Sequence, residues 1–553
     1  MSGLVGFTTS LAPDRRRDRL AVEGMRDLLS DPGRPPEPAY LADGVAAAAL
    51  ASAVGPDWSQ PFAAGDVVVW LDGEILAAAE LQSGARHGAE AIATGYQASG
   101  GFEFLARSDG MFAAVVLDRR RRRLFLVADR LGMRFLFWRA SGGQLAWSSE
   151  LKAFLELPGF SARLDREAVS HFVAAGYHQG DETWFADVHL LGPGTVLAYD
   201  LNENTLAMHR YWTPDAIRSI AGKIDVPELI EELHRRLTAA VERTCEGNHR
   251  IGVLLSGGLD SRAILASLPP AHAQVPVVTF GTRDCVDFKL ASRAAAIRKN
   301  PHHLHLLTAS NWLAGRVEAV WRTDGLVSLL HTHPSSGLDE LRSAMDVNLS
   351  GLYLDTTLGG AYLFYEPDQP EWWALLNRGR RSIRAGMRVS EPWIDHRAPG
   401  LDHRLIELAM AIPPELRMGW TIYRRMLLKA FPRYYRTIGW QRSGLPVWAP
   451  WALTGVRLMA DKVHDRIRRS LGMPGYDWRQ YADYPSWLRL EPGRSFARKL
   501  LSDRDALYVE HVPRESALAD LDLHLSGKEY RHEHLGRILT LEIWMRQLAA
   551  LGA

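Results

Sequence analysis

The stretch from Arg250 to Leu268, RIGVLLSGGLDSRAILASL, constrains this chain more than any other. Ile251 to Leu255 is a short apolar run of the kind that forms a buried parallel strand, and Ser261 to Leu268 resumes with helix-compatible residues. Gly257 and Gly258 stand at the joint. A strand, a glycine turn and a helix N-terminus gather unpaired backbone N–H groups at the positive end of a helix dipole, which makes an anion site; Ser256 and Ser261 add hydroxyl donors. The common phosphate loop carries a lysine, whereas here an acid, Asp260, stands in its place. A carboxylate beside phosphates is repulsive unless a divalent cation lies between them. The loop is therefore expected to take the pyrophosphate part of ATP together with Mg2+. The plainer alternative is an ordinary turn with Asp260 capping the helix. Turn chemistry alone does not ask for Ser-Gly-Gly-x-Asp-Ser after a buried strand.

A chain of 553 residues exceeds one ordinary core and implies two or more domains. With 65 basic and 64 acidic residues, the balance gives no reason to expect nucleic acid or an anionic membrane as partner. Two cysteines, Cys245 and Cys285, exclude a disulfide framework and point to a cytoplasmic setting. The first residues lack a signal pattern, and no apolar run is long enough to span a bilayer.

From Met1 to about Trp212 short apolar strands alternate with turns and a few helices, an α/β layered pattern. Val67 to Ile75 and Met111 to Asp118 read as strands. The arginine run after Asp118 reads as the tip of a hairpin whose second strand is Leu124 to Ala128. It is expected to be a solvated turn rather than a dock for an acidic partner. Residues 213–224 read as a linker. Asp225 then caps a helix, with Pro227 in the first turn, Glu228 reaching back, and Leu229, Leu233, Leu237 and Val241 at fourfold spacing. After the loop, Pro276 to Thr282 reads as a strand, the DFKLASRAAAIRKN stretch as a helix and His303 to Leu307 as a strand. Together they predict a doubly wound parallel sheet with the nucleotide at the strand C-terminal ends. His302, His303, His305, His331 and His333 invite a zinc reading, but alternating histidines on a strand split between its faces and only Cys285 lies near. A second glycine-flanked acid, Asp355, lies in Leu349 to Phe364 and could complete the magnesium site. The C-terminal segment is helix-rich, with Leu541, Trp544, Met545 and Leu548 on one face.

SGGLDS resembles the pyrophosphate loop of the asparagine-synthetase-like amidotransferases, which activate a carboxylate as an acyl-adenylate and let an amine attack it. The N-terminal region is similar to the glutaminase domain of that family in MSGLVGF, LDGEI, SDGMFAAVVLD, LVADRLGMRFLFW and WSSELKAFLELPG. The resemblance implies an Ntn-type α/β layered domain over residues 1–212 and an ATP pyrophosphatase-like domain over 225–553 with a helical C-terminal part. Two departures imply a glutaminase domain that no longer makes ammonia. Ser2 stands where the working enzymes carry a nucleophilic cysteine, and Leu76 and Ala77 follow Ile75 where the family has an asparagine.

In the second domain the resemblance places adenine against Leu254 and Phe280. Ser350, Gly351, Asp355, Gly359 and Gly360 match SGEGSDE and its following glycine pair. The family's glutamate is missing there, since Leu352 occupies its place. Tyr353 beside it is a candidate base by analogy with β-lactam synthetases, or simply a packed aromatic. Glu391, near the first of two PFLDHRLVE-like segments, could replace the lost glutamate or be structural. Asp402, in the second, reads as a helix cap. Arg442 occupies the place of a lysine set against the adenylate or pyrophosphate. Trp372, Trp373, Trp393, Trp448, Trp451, Trp478 and Trp487 could line a peptide groove or pack in the core.

Loss of the ammonia supply, loss of the glutamate and the SGGLDSR loop together look most like the lasso peptide cyclases. That resemblance implies a precursor peptide as substrate, with a leader peptidase and a leader-recognition protein as possible partners. The alternatives are a β-lactam-synthetase-like ligase, an amidotransferase paralogue acting on polysaccharide precursors, and a nucleotide-binding protein without turnover.

Overall fold

The computed structural model describes residues 3–9, 14–29, 37–50, 59–220, 222, 224–470 and 481–552, apart from the side chains at 451, 469 and 470. Within 3–210 two antiparallel sheets of six strands lie face to face. Strand alternation builds the stack. In Val67–Leu76, Val68 and Trp70 face the other sheet's Val45, Ala47 and Ala49. Val67, Val69 and Leu71 face outward onto Ile92 and Tyr96 of the helix Gly88–Ser99. The helix Arg15–Asp27 covers the opposite outer face with Val22 and Met25 against Val5 and Phe7. The result is helix, sheet, sheet, helix. Arg119 to Arg122 form the turn between strands Asp109–Asp118 and Arg123–Ala128, as the sequence predicts.

The second half is built on a parallel sheet of β1 (Ile251–Leu254), β2 (Val277–Gly281), β3 (His302–Leu306), β4 (Val347–Leu349) and β5 (Asp395–Arg397), in the order β3-β2-β1-β4-β5. The direction of strand addition reverses between β1 and β4, and the ligand crevice of an open parallel sheet lies at such a switch point. The two strands pair only at Ile251 with Val347 and Gly252 with Asn348, then part. The Leu254 N–H, left without a strand partner, donates instead to the Asn348 side chain at 2.8 Å. Asn348 in turn meets His396, which meets Ser390, so a polar chain bridges the opening.

The helix Val226–Thr244 packs on this sheet with Leu229, Leu233, Leu237 and Val241 buried. Asp225 caps it by accepting from the Glu228 N–H at 3.1 Å. Glu228 returns no bond among the described residues, so the capping box is half made. Asp402 caps the helix His403–Ala411 through the N–H groups of Arg404 and Leu405. The C-terminal helix His532–Ala549 is buried on more than the predicted face, since Leu535 through Met545 are buried except Arg537.

Candidate active site

The chain leaves β1 and turns at Ser256 to Gly258 into the helix Leu259–Ser267. Gly257 has φ +71, and a Cβ there would meet the Asp287 carbonyl and Leu290 Cβ at 2.8 Å each. Gly258 is the helix N-cap and supplies no side-chain acceptor, so the first-turn N–H groups remain available to an anion. Ser256 and Ser261 hold each other at 3.3 Å between their hydroxyl oxygens.

Asp260 lies in the first turn. Asp355 reaches it from β4, by way of Ser350, Gly351 and the short helix Leu354–Thr357. Only glycine permits that approach, because a Cβ on Gly351 would stand 2.6 Å from Asp260 Cβ. Both residues are half-buried and open onto the chambers at the loop. Burial, and then the charge of Asp355, push Asp260 well above the carboxylate range, against a bond from the Tyr423 hydroxyl at 2.8 Å and one from the Asp355 N–H. Burial lifts Asp355 to about 6, with the nearby Arg442 charge opposing it. Two acids that resist ionising together make a place where a cation would be stabilised.

Arg442 faces the pair from an aromatic cage, its guanidinium 4.4 Å from the Trp420 ring centre, 4.7 Å from Tyr365 and 5.2 Å from Phe364. Arg262, fully buried, ties the loop to the segment leading to Arg442. It donates to the carbonyls of Gly258 at 3.0 Å, Tyr434 at 3.2 Å and Gly439 at 3.1 Å. Two chambers share this floor. One, about 430 Å³, is walled by Tyr365, Trp420, Trp440, Gln441 and Arg442. The other, about 260 Å³, runs past Ser350 between Leu254, Leu352, Ile383 and Met387.

Ser256, Asp260, Ser261, Asp355 and Arg442 thus converge, with Gly257, Gly258 and Gly351 as their backbone frame and Leu254 and Ser350 in the adjoining wall. Phe280, at the end of β2, is buried with its ring 5.1 Å from His305 and 5.4 Å from His333. Tyr353 is placed in the chamber wall but not as a base. Its hydroxyl donates to the Leu375 carbonyl at 3.0 Å, its ring presses on Gly379, and burial holds its proton well above the tyrosine range. Glu391 is corrected more sharply. It lies outside both chambers, buried between Arg384 and Arg134, the latter at 3.2 Å, and these arginines hold its carboxyl down at about 2 despite burial. A carboxylate so neutralised is a poor proton acceptor.

The histidines go to separate partners: His302 to Thr279 and Ser292, His305 to Glu340 and Ser336, His331 to Glu533, and His333 to Tyr481. Trp487 is buried, Trp448 is exposed, and Trp372 packs edge-on against Trp212. Ser2, Trp478 and the Trp451 side chain lie outside the described residues. Tyr423, Trp420, Tyr365, Gln441 and Arg262 were not singled out by sequence reasoning. For Arg262 a signal existed, since an arginine directly after the serine of an anion loop can fold back onto its carbonyls. The aromatics carry none that separates them from core residues.

Fold and site define a two-domain α/β protein: a four-layered N-terminal domain joined to a parallel-sheet domain whose switch point holds a glycine loop with two half-buried carboxylates. Residues 1–212 match the glutamine amidotransferase domain model, and residues 232–393 match the asparagine synthase model. The putative glutamine-hydrolysing asparagine synthetase of Mycobacterium tuberculosis is 29% identical over 328 residues, covering 56% of this chain and 50% of that one. Glutamine-hydrolysing asparagine synthetase 2 of Bacillus subtilis is 25% identical over 536 residues, covering 81% and 71%. The asparagine synthetase of Cricetulus griseus is 25% identical over 369 residues, covering 60% and 62%. The chain spans half the length of the mycobacterial relatives it matches. The chain carries an amidotransferase-type domain and an asparagine synthase domain, in that order.

Proposed function

We propose that the protein is an ATP-dependent, AMP-forming amide ligase that adenylates an Asp or Glu side-chain carboxylate of a precursor peptide and closes a macrolactam with the peptide's own N-terminal amine. The observation that carries the ligase reading is the convergence of half-buried Asp260 and Asp355, the charge of the second raising the first, beneath an uncapped helix N-terminus and beside Arg442. Among the described residues no group of three or more His, Cys, Asp or Glu is placed to hold a metal ion. Two carboxylates suit Mg2+, which takes one or two protein ligands and completes its shell with phosphate oxygens and water. Bound there, the ion would neutralise charge developing on the pyrophosphate.

In this reading the substrate carboxylate attacks the α-phosphorus of ATP, and the pyrophosphate leaves toward the loop N–H groups, the hydroxyls of Ser256 and Ser261, and Arg442. The amine then attacks the acyl carbon, and AMP leaves with its electron pair on the phosphate oxygen. Neither Tyr353 nor Glu391 accepts the amine's proton, which passes to the departing AMP phosphate or to water. A terminal α-amine titrates near ~8 and is partly neutral at ordinary pH, so it can attack without a strong base where a lysine side chain would not. The apolar wall of Leu254, Leu352, Ile383 and Met387 supports an acceptor held away from water, as a hydrolysable adenylate requires. Neither cysteine lies in residues 1–212, which supports an amine source other than glutamine.

The test is mass spectrometry of candidate precursor peptides incubated with ATP, Mg2+ and any protease the leader requires. The expected product is lighter than the linear core by one water, resists N-terminal sequencing, and is lost when the peptide's acceptor Asp or Glu becomes Asn or Gln. A product joined to a separate amine, or a small-molecule β-lactam, would overturn the macrolactam reading. Absence of AMP formation with any acceptor would overturn the ligase reading.

A further inference from the structure

The reaction loops follow the C-terminal ends of β1 and β4, whereas a second cleft, about 520 Å³ and open to solvent, lies at the opposite end of the sheet. Pro392 and Trp393, just before β5 begins, form one side. Leu28 and Leu29 of the N-terminal domain, Trp321 and Arg322 of the segment Arg316–Arg322, and Gln547 of the C-terminal helix form the rest. The volume is that of a ligand cleft rather than a packing defect.

Two of its polar atoms have no hydrogen-bond partner among the described residues. Arg322 stacks its guanidinium 4.8 Å from the Trp393 ring centre but makes no ion pair or side-chain hydrogen bond with the described residues, and its Nη1 is buried without an acceptor. Burial accordingly pushes its pKa down, offset in part by Glu318 one turn earlier. Gln547 donates through Nε2 to the Val317 carbonyl at 2.9 Å, while its Oε1 is buried with no donor. Half-buried groups of this kind cost stability unless something satisfies them. The two acids at the rim do not. Asp27 is bound to Arg26 at 2.8 Å, and Glu318 is exposed.

We propose that this cleft docks an extended peptide segment with one carboxylate side chain flanked by apolar residues. The carboxylate takes the fork of Arg322, the apolar neighbours lie against the indoles of Trp321 and Trp393, and a peptide N–H meets Gln547 Oε1. A peptide fits because the cleft offers a cation, an amide acceptor and two flat apolar faces, which match a carboxylate, a backbone donor and side chains in turn. Asp27 and Glu318 repel a second acid beside the first, so one carboxylate is preferred to a polyacidic run. The site is separate from the reaction centre and does not depend on what that centre joins.

Fluorescence polarisation of the whole protein with an N-terminally fluorescein-labelled Ala-Leu-Glu-Leu-Ala amide tests this, with the same peptide carrying Gln for Glu as control. Saturable binding of the Glu peptide is expected, about tenfold or more tighter than the Gln peptide, the difference a desolvated charge-assisted hydrogen bond makes. Arg322→Gln should erase the preference and Arg322→Lys keep part of it. Trp393→Ala should weaken both peptides. AMP formation by Arg322→Gln should equal that of the unchanged protein, which separates this site from the ligase reading. Equal binding of the two peptides, no binding, or a Glu preference that survives Arg322→Gln would overturn the proposal.

Discussion

Asp260 and Asp355 are brought together at a cost, since the charge of Asp355 adds to desolvation in raising the Asp260 pKa. Such an arrangement is stable when a cation and phosphates complete it. Asp260→Asn and Asp355→Asn should each lower ATP–pyrophosphate exchange by about a hundredfold or more, the scale for removing a group that stabilises developing charge. Near-normal exchange at low Mg2+ in either variant would remove the assignment. Tyr353→Phe should behave differently. Its hydroxyl serves only the Leu375 carbonyl among the described residues, so turnover is expected to stay within about threefold while stability falls by ~1 kcal/mol, the net worth of one hydrogen bond. Asp287 adds a pH effect. Burial raises its carboxyl from 3.8 to about 7, only partly opposed by the Gln441 side chain. An acid whose folded pKa is raised holds its proton more tightly folded than unfolded. Its contribution therefore favours folding increasingly as pH falls from 7 toward 4, and is lost as pH rises through that window. Denaturant titrations at pH 5 and pH 8 should differ less for Asp287→Asn than for the unchanged chain. At this scale the motif-bearing residues were legible in the sequence, because a glycine turn between strand and helix allows few geometries. Tyr353 and Glu391 were not, because burial and ion pairing depend on segments far away, such as Arg134 for Glu391.

The segment Leu375–Arg384 shows why some elements escape pattern reading. LLNRGRRSIR looks like a solvated, basic surface, yet Arg380 and Arg381 are buried on carbonyls of the N-terminal domain and Arg384 is buried against Glu391, while Arg378 stays exposed beside Glu366. Its turns are wider than those of an α-helix, the π-type geometry that often marks a functional position. Arg380 donates to Gly132 and Leu191 at 2.6 and 2.7 Å, and Arg381 donates to His178 at 3.2 Å and also to Glu182. Gly379 and Ile383 meanwhile line the second chamber. One side of the segment is bolted to the N-terminal domain and the other shapes the chamber. By contrast Val226–Thr244 and Val286–Arg298 were legible, because an apolar stripe facing the sheet and capped ends need no distant partner. Arg380→Ala would strand two buried carbonyls and should cost about 2–3 kcal/mol in chemical denaturation. It should also lower turnover more than the stability loss explains, by letting the chamber wall move. Unchanged turnover in folded Arg380→Ala would show that the segment is only a strut.

Across the whole molecule, the N-terminal domain is bound to the second by ion pairs. Glu74 takes both arms of Arg397 at 2.8 Å, Asp109 accepts from His403 at 3.0 Å and faces Arg404, and Asp72 holds Arg134, which bridges to Glu391. Glu74, Asp109, Arg134 and Arg397 line a cavity of only about 40 Å³, room for a water or two. In the proposed reading the domain serves as a scaffold whose polar residues grip its neighbour. The layered α/β fold was legible from strand alternation. This interface was not, since like any docking it depends on where the surfaces meet. Incubated with glutamine, the protein should release no glutamate above a heat-killed control, because residues 1–212 contain no cysteine. Introducing the thiol by Ser2→Cys should restore little, since Glu74 and Asp109 are already paired and there is no space for an amino acid between them. If Ser2→Cys alone gave robust glutamate release, the pocket would have to open in solution. The ion pairs of Glu74 and Asp109 would then be a gate rather than a clamp.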